Sequence, residues 1–175
     1  MALILKKGEL DTLLSSADQN RPETIDYLDV ACRRFIARAP LVCLATSDKR
    51  RHQHLSPIGG APGFVEVLDK RTLVLPEWPV PESRERLRGV LDDANVALLF
   101  MVPGDDCALQ VTGSACLSND RRFIDHFRRG GAAPDVVLLI EVSTATFVGA
   151  GALSIGNLWD PPAPSAPGPM DADTP

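Results

Sequence analysis

The stretch from Ser56 to Pro76, SPIGGAPGFVEVLDKRTLVLP, constrains the fold more than any other part of the chain. A glycine- and proline-rich elbow at 57 to 63 feeds an apolar run, Phe64 to Leu68. That run reverses through Asp69-Lys70-Arg71 into a second one, Thr72 to Leu75. β-Branched and bulky apolar side chains suit a pleated, half-buried surface, and charged residues at the reversal keep that tip in water, so the stretch predicts strand, turn, strand. The elbow sets backbone N–H groups beside a sheet, a place suited to holding a ligand.

The flanking chain extends this pattern. From Pro22 to Ala39 the apolar residues Ile25, Leu28, Cys32, Phe35, Ile36 and Ala39 recur at spacings of three and four, which predicts a helix begun by Pro22 and stopped by Pro40. Leu41 to Thr46 is an apolar strand running into a polar hairpin, and His52 to Ser56 returns from it. After the extended Glu77-Trp78-Pro79-Val80-Pro81 segment, Ser83 is placed to cap a helix reaching Asp93, with Leu87, Val90 and Leu91 as its apolar side. Val96 to Val102 is nearly all apolar, so it predicts a strand buried on both faces, closed by the Pro103-Gly104-Asp105-Asp106 turn. Ala108 to Leu117 is another strand, in which Gly113 marks a bulge or a close approach. A helix over Asn119 to Arg129 turns Phe123, Ile124 and Phe127 inward and ends at Gly130-Gly131. A buried strand follows at Asp135 to Val142, and then a small-residue segment from Phe147 to Trp159.

Many strands joined by tight turns, with short helices between them, predict a mainly β fold: an antiparallel sheet closing into a β-barrel with peripheral helices. The expected organisation is an N-terminal extension over residues 1 to 20, one barrel domain over 21 to 160 and a disordered proline-rich tail over 161 to 175.

Charge narrows the partners. A formal net charge of −5 argues against nucleic acid or an anionic membrane surface, both of which call for clustered Lys and Arg. With no apolar run near 20 residues and no leader-like start, a cytoplasmic protein is expected. Cys32, Cys43, Cys107 and Cys116 are too widely spaced for a C-x-x-C pair and are expected as thiols, with Cys32 and Cys43 in the core and Cys107 the most exposed.

Other constellations carry less. His52-Gln53-His54 puts two imidazoles on one face of a strand, a spacing able to chelate a metal or contribute to haem ligation, but no third ligand lies near, and a solvated hairpin is the plainer reading. His126 lies on an arginine-rich helix and reads as a surface residue. Trp78 and Trp159, the two tryptophans, each stand beside prolines at the edge of the expected barrel. Trp78 is the better candidate for stacking on a planar ligand, whereas Trp159 suits packing or a dimer contact. There is no phosphate loop and no hydrolase-type serine motif.

Taken in order, Ser56-Pro57 and Gly59, Pro62-Gly63-Phe64-Val65, Leu68-Asp69, Thr72-Leu73 and Leu75-Pro76 resemble the pyridoxamine 5′-phosphate oxidase-like flavoproteins, in the subgroup with the pattern SPRG…PGFV…LD..TL..P. The likeness continues through Asn95-Val96, Leu99-Phe100, Pro103-Gly104, Val111, Gly113, Ala115 and Leu158-Trp159-Asp160-Pro161, covering residues 24 to 161. The resemblance implies a split barrel, a six-stranded antiparallel Greek-key barrel that forms a homodimer and holds FMN between subunits, with a small-molecule substrate entering near the Pro57 to Gly60 elbow.

The polar positions depart from that family pattern. Ile58 stands where the subgroup has arginine, Gln110 where it has another, and Val148, Gly149, Gly151 and Ile155 fall on its late histidine, cysteine, lysine and arginine. Val80 to Arg86 replaces its polar loop, and Gly89 replaces the asparagine that follows. Arg84, Arg86 and Arg88 stand where they can compensate at the start of a helix, but pairing with Glu82, Glu85 and Asp92 on a solvated face is the plainer reading. The resemblance and its flanks nominate Ser56, Pro57, Ile58, Gly59, Leu75, Trp78, Arg84, Arg86, Gln110 and Trp159 for the cofactor pocket. Three readings follow: an FMN-dependent oxidoreductase, a split barrel that has lost FMN and uses a more apolar pocket for another small ligand or a flavin-free reaction, and a structural or partner-binding dimer.

Overall fold

In the computed structural model, residues 7–8, 22–149 and 151–159 are described. The expected extension over 1 to 20, apart from residues 7 and 8, and the expected tail over 161 to 175 lie outside them. Strand β1 (Thr24–Ile25) precedes helix α1 (Val30–Arg38), and then come β2 (Leu41–Ser47), β3 (Gln53–Gly59), β4 (Glu66–Val67) and β5 (Thr72–Glu77). Helix α2 (Ser83–Asp92), β6 (Asn95–Met101), β7 (Ala108–Ser118), helix α3 (Arg121–His126), β8 (Val136–Val148) and helix α4 (Ala152–Ile155) complete the chain.

One antiparallel sheet runs in the order β3-β2-β6-β7-β8-β5-β4, with β1 added to β8. This is the split barrel. Its eight strands exceed the expected six by β1 and β4, which are two residues each. The opening hairpin forms as expected: Glu66 lies opposite Val74 and Val67 opposite Leu73, and the Leu68 N–H donates to Thr72 O at 2.9 Å across the charged tip. Its first strand is shorter than the Phe64 to Leu68 run, because the elbow occupies the preceding residues.

Three expectations need correction. The first helix begins at Val30, not Pro22, because Asp29 caps it: its Oδ1 accepts from the Cys32 N–H at 2.8 Å. Upstream, Ile25 is extended and paired with Ala145, and Leu28 is fully buried while its N–H donates to Lys70 O at 2.7 Å. Helical spacing there was coincidence between two sheet-bound residues and a true helix face. Strand β6 buries Val96, Leu98 and Phe100, but its other face, Ala97, Leu99 and Met101, is only half-buried. The thiols also redistribute. Cys32 is buried, Cys43 and Cys107 are half-buried, and Cys116 is the exposed one, since strand alternation turns both 43 and 116 outward.

The core fills from both sides of the barrel, with Val42, Leu44, Leu98, Phe100, Leu109, Val111, Leu138 and Ile140 against Phe35 and Ile36 of α1. Phe35 meets Phe147 edge-to-face, with ring centroids 5.5 Å apart. A smaller cluster of Val74, Val137 and Phe127 seats α3 on the outside of β5 and β8. Gly113 sits where the β7–β8 register shifts, as its sequence position suggested. A Cβ there would stand 2.1 Å from Glu141 O, so no larger residue fits without moving the strand.

Candidate functional site

Strands β3 and β5 bring the site together because they flank the seam of the barrel, where no ladder joins one to the other. Between them opens a cleft of about 540 Å³ lined by Leu55 to Gly59, Pro76 to Trp78, Val80, Glu82 and Arg86. That volume lies within the ordinary range for small-molecule pockets. One wall is the edge strand β3, and the other is the end of β5 with the loop leading to α2. This loop is tied down by Ser83, whose N–H and Oγ both bond to Val80 O, at 3.0 and 2.7 Å. Ser83 was expected to cap the helix. Glu82 takes the N-cap position instead, with no side-chain cap bond, because the Ser83 hydroxyl is engaged one turn back.

At the base of the cleft lies a group that sequence reading passed over. Glu77 ends β5 with its side chain 1% exposed, and Arg86 meets it from α2 with its own 4% exposed. Nε donates to Oε1 at 2.8 Å and Nη2 to Oε2 at 2.5 Å, a bidentate pair. The sequence signal existed in the helix spacing. Residues 83, 86, 89 and 90 are its buried positions, and an arginine among them requires a buried carboxylate.

Helix α2 can lie this close to the sheet because residue 89 lacks a side chain. A Cβ on Gly89 would stand 2.7 Å from Thr46 Oγ1. That hydroxyl is buried and has no hydrogen-bond partner among the described residues. The cleft continues past Trp78 into a second chamber of about 200 Å³, which shares Gly59, Pro76 and Trp78 with it and ends on Phe127 and Arg129.

The nominated residues therefore divide. Ser56, Pro57, Ile58, Gly59, Trp78 and Arg86 line the cleft. Leu75 is fully buried in the core. Arg84 is exposed in a separate groove with Pro79, Leu87 and Leu91. Gln110 points outward from β7, opposite Leu99 and Thr146. Trp159 is half-buried and donates from Nε1 to Asp105 O at 2.9 Å, so it packs against the Pro103 to Asp106 turn. Of the expected surface pairs of arginines with acids, Arg88 with Glu85 forms, at 3.4 Å, whereas Arg86 is buried on Glu77 and Asp92 pairs with Lys49 at 3.2 Å.

The fit to FMN can be tested against these residues. Its phosphate is a near-dianion, which needs cations or convergent N–H donors to replace water. Among the described residues, the one guanidinium lining the cleft is held by Glu77, Ile58 offers none, and Glu82 adds a negative charge. The described residues lining this cleft do not fit the phosphate.

Two of the three histidines meet a carboxylate locally, and His54 is half-buried on β3. His52 lies just outside β3, with Nδ1 2.8 Å from Asp48 Oδ2, and His126 Nε2 lies 2.6 Å from Glu66 Oε1. Asp48 is held below the usual carboxylate range, chiefly by the backbone N–H of His52. Among the described residues no three His, Cys, Asp or Glu side chains are grouped to hold a metal. No described helix is long and apolar enough to cross a membrane.

Residues 28–149 match the family model described as pyridoxamine 5′-phosphate oxidase. No curated protein matches the sequence. Solved structures share the fold at low identity. HupZ from Group A Streptococcus aligns with a TM-score of 0.56 at 15% identity, over 68% of this chain and 92% of its own. A proposed pyridoxamine 5′-phosphate oxidase from Lactobacillus delbrueckii gives 0.55 at 21%, over 72% and 98%. The General Stress Protein 26 of Bacillus anthracis gives 0.52 at 14%, over 66% and 88%.

Proposed function

Because the chain belongs to the pyridoxamine 5′-phosphate oxidase family, we propose that it acts as a homodimer binding a small planar molecule in the seam cleft between β3 and β5. The observation that carries this is the convergence of Ser56 to Gly59 with Trp78 around one cleft of about 540 Å³. Apolar walls with a few polar groups and one large aromatic are what a ring system needs, since stacking and burial supply affinity and the polar groups set orientation.

A charge-free sheet face supports the homodimer. On the outer side of β2 and β6, Leu41, Cys43, Ala45, Ala97, Leu99 and Met101 form a half-buried strip, continued by Gln110, Thr112, Thr144 and Thr146 with no charged residue among them. Interface cores are depleted in charge in this way.

The FMN-dependent oxidoreductase reading draws on the family alone, and the cleft's occupied guanidinium weighs against it.

Light scattering on the purified chain should give twice the monomer mass of 18.8 kDa. In a Trp159→Phe variant Trp78 is the one remaining tryptophan, so its emission should be quenched as a planar ligand is titrated in. A yellow preparation that releases FMN on heating would overturn the flavin-free reading, and a monomer whose Trp78 emission ignores every ring compound would overturn the proposal as a whole.

A further inference from the structure

We propose that Glu77 sets the charge selectivity of this cleft, making it accept an uncharged or cationic ring and reject one that carries a phosphate. The inference rests on the ring-binding reading above and adds the class of ligand.

Among the described residues Arg86 is the one cation lining the main cleft, and both its Nε and Nη2 are bound to Glu77 with the two side chains almost fully buried. An entering phosphate has two options, and each is unfavourable. If it draws Arg86 to itself, the buried Glu77 carboxylate loses its partner inside the protein, which leaves an uncompensated charge. If it does not, the dianion sheds water with no cation to replace it.

The pair is neutral, so the cleft takes its sign from Glu82, which is exposed at the rim. No ion pair engages Glu82 among the described residues. The start of α2 offers little to an anion either. The Ser83 N–H is already bonded to Val80 O, Glu82 occupies the N-cap and Glu85 stands in the first turn, so two carboxylates oppose the partial positive charge of the helix end. Arg129 lies beyond Trp78, in the smaller chamber, exposed and with its Nη1 already donating to the His126 and Arg128 carbonyls at 3.2 Å. A planar cation meets the reverse situation, with Glu82 ahead of it and apolar Leu55, Pro57, Ile58 and Val80 around its ring.

Three probes of similar ring size test this: riboflavin, FMN, which differs by the phosphate, and the tricyclic cation thionine. Binding to the full chain is measured by equilibrium dialysis at low salt. Riboflavin and thionine should bind at least about tenfold more tightly than FMN, a factor equal to about 1.4 kcal/mol. In Glu77→Gln the freed guanidinium should move the FMN to riboflavin ratio toward FMN by about tenfold or more, the scale of one charged hydrogen bond. Should that variant not fold, Glu82→Lys, at an exposed position, should move the ratio the same way. FMN binding tenfold more tightly than riboflavin to the unaltered chain would overturn the charge assignment while leaving ring binding intact. An unchanged ratio in the folded variants would also overturn it. If none of the three probes binds, the ring-binding reading fails and this inference with it.

Discussion

Splitting the Glu77–Arg86 pair should be the most damaging single change available in the cleft wall. The two side chains are 1% and 4% exposed and joined by two hydrogen bonds, so removing either partner leaves a buried charge with nothing to offset it. Losses of this kind run to about 3–5 kcal/mol, against a total stability of about 5–15 kcal/mol for a domain. At about 2–4 °C per kcal/mol for a chain of this size, the expected fall in Tm is roughly 6 to 20 °C for Glu77→Gln or Arg86→Met. The double variant Glu77→Leu with Arg86→Met removes both charges and should recover most of the loss, because a buried ion pair exchanged for apolar groups is commonly neutral or stabilising. Urea unfolding followed by circular dichroism, run at about 0.05 and 0.5 M salt, measures all three. The single-variant losses should barely change with salt, which screens exposed charges far more than buried ones. A loss below about 1 kcal/mol, or one that vanishes at high salt, would place the pair in water like the surface bridges and refute the reasoning. Recovery in the double variant is the decisive arm, since it separates a stranded charge from a hole in the packing.

Asp29→Ala should cost about 1 kcal/mol at neutral pH by removing the cap of α1, as read by urea unfolding. The Cys32 N–H holds the Asp29 carboxyl below its ordinary 3.8, so this stabilisation is complete above that pH and is lost as the pH falls through the lower folded value. The difference between the two proteins should therefore shrink on acidification below about pH 4. Alkylation should discriminate among the thiols. Burial, with Asp29 adding to it, pushes Cys32 up to about 11, whereas Cys116 stands exposed on β7. At pH 8 iodoacetamide should label Cys116 first and Cys32 only on unfolding, as read by peptide mass spectrometry. Labelling of Cys32 in the native protein at the rate of Cys116 would contradict the packing around α1.

The architecture was legible because period-two patterning and turn chemistry are local properties. The Asp69-Lys70-Arg71 reversal, the Pro103 to Asp106 turn and the Gly113 irregularity all fall where their residue types require. The start of α1 was misplaced because helical spacing continued backwards into Ile25 and Leu28. Ile25 is half-buried on β8 and Leu28 is buried beside the hairpin at Lys70, contacts that no local pattern reports. The cleft was half legible. Resemblance nominated Ser56 to Gly59, and an aromatic between prolines nominated Trp78, and these do meet. Leu75, Arg84, Gln110 and Trp159 were drawn in by position along the chain and are directed elsewhere by strand parity, helix phase and the turn at Asp105. Glu77 was missed because its partner lies across a loop. A carboxylate at a strand end is unremarkable until an inward-facing arginine is noticed nine residues later.

The register shift between Thr112 and Gly113 matters beyond the fit of one glycine. Opposite it, Ser143 is the unmatched residue of β8, falling between Val142 and Thr144 in the pairing. Before that point the odd-numbered side chains 137, 139 and 141 turn away from the barrel interior. After it the even-numbered 144 and 146 do so. One continuous strand thus works as two segments of opposite phase. The first presents Val137 and Leu139 to α3, and the second presents two threonines to the charge-free strip. Were β8 to run through Ser143 in regular alternation, with no register shift, Ala145 and Phe147 would turn out of the core and the threonines would turn in. The surface offered to a second copy is therefore decided by a counting rule inside β8, more than by which residues the strand contains.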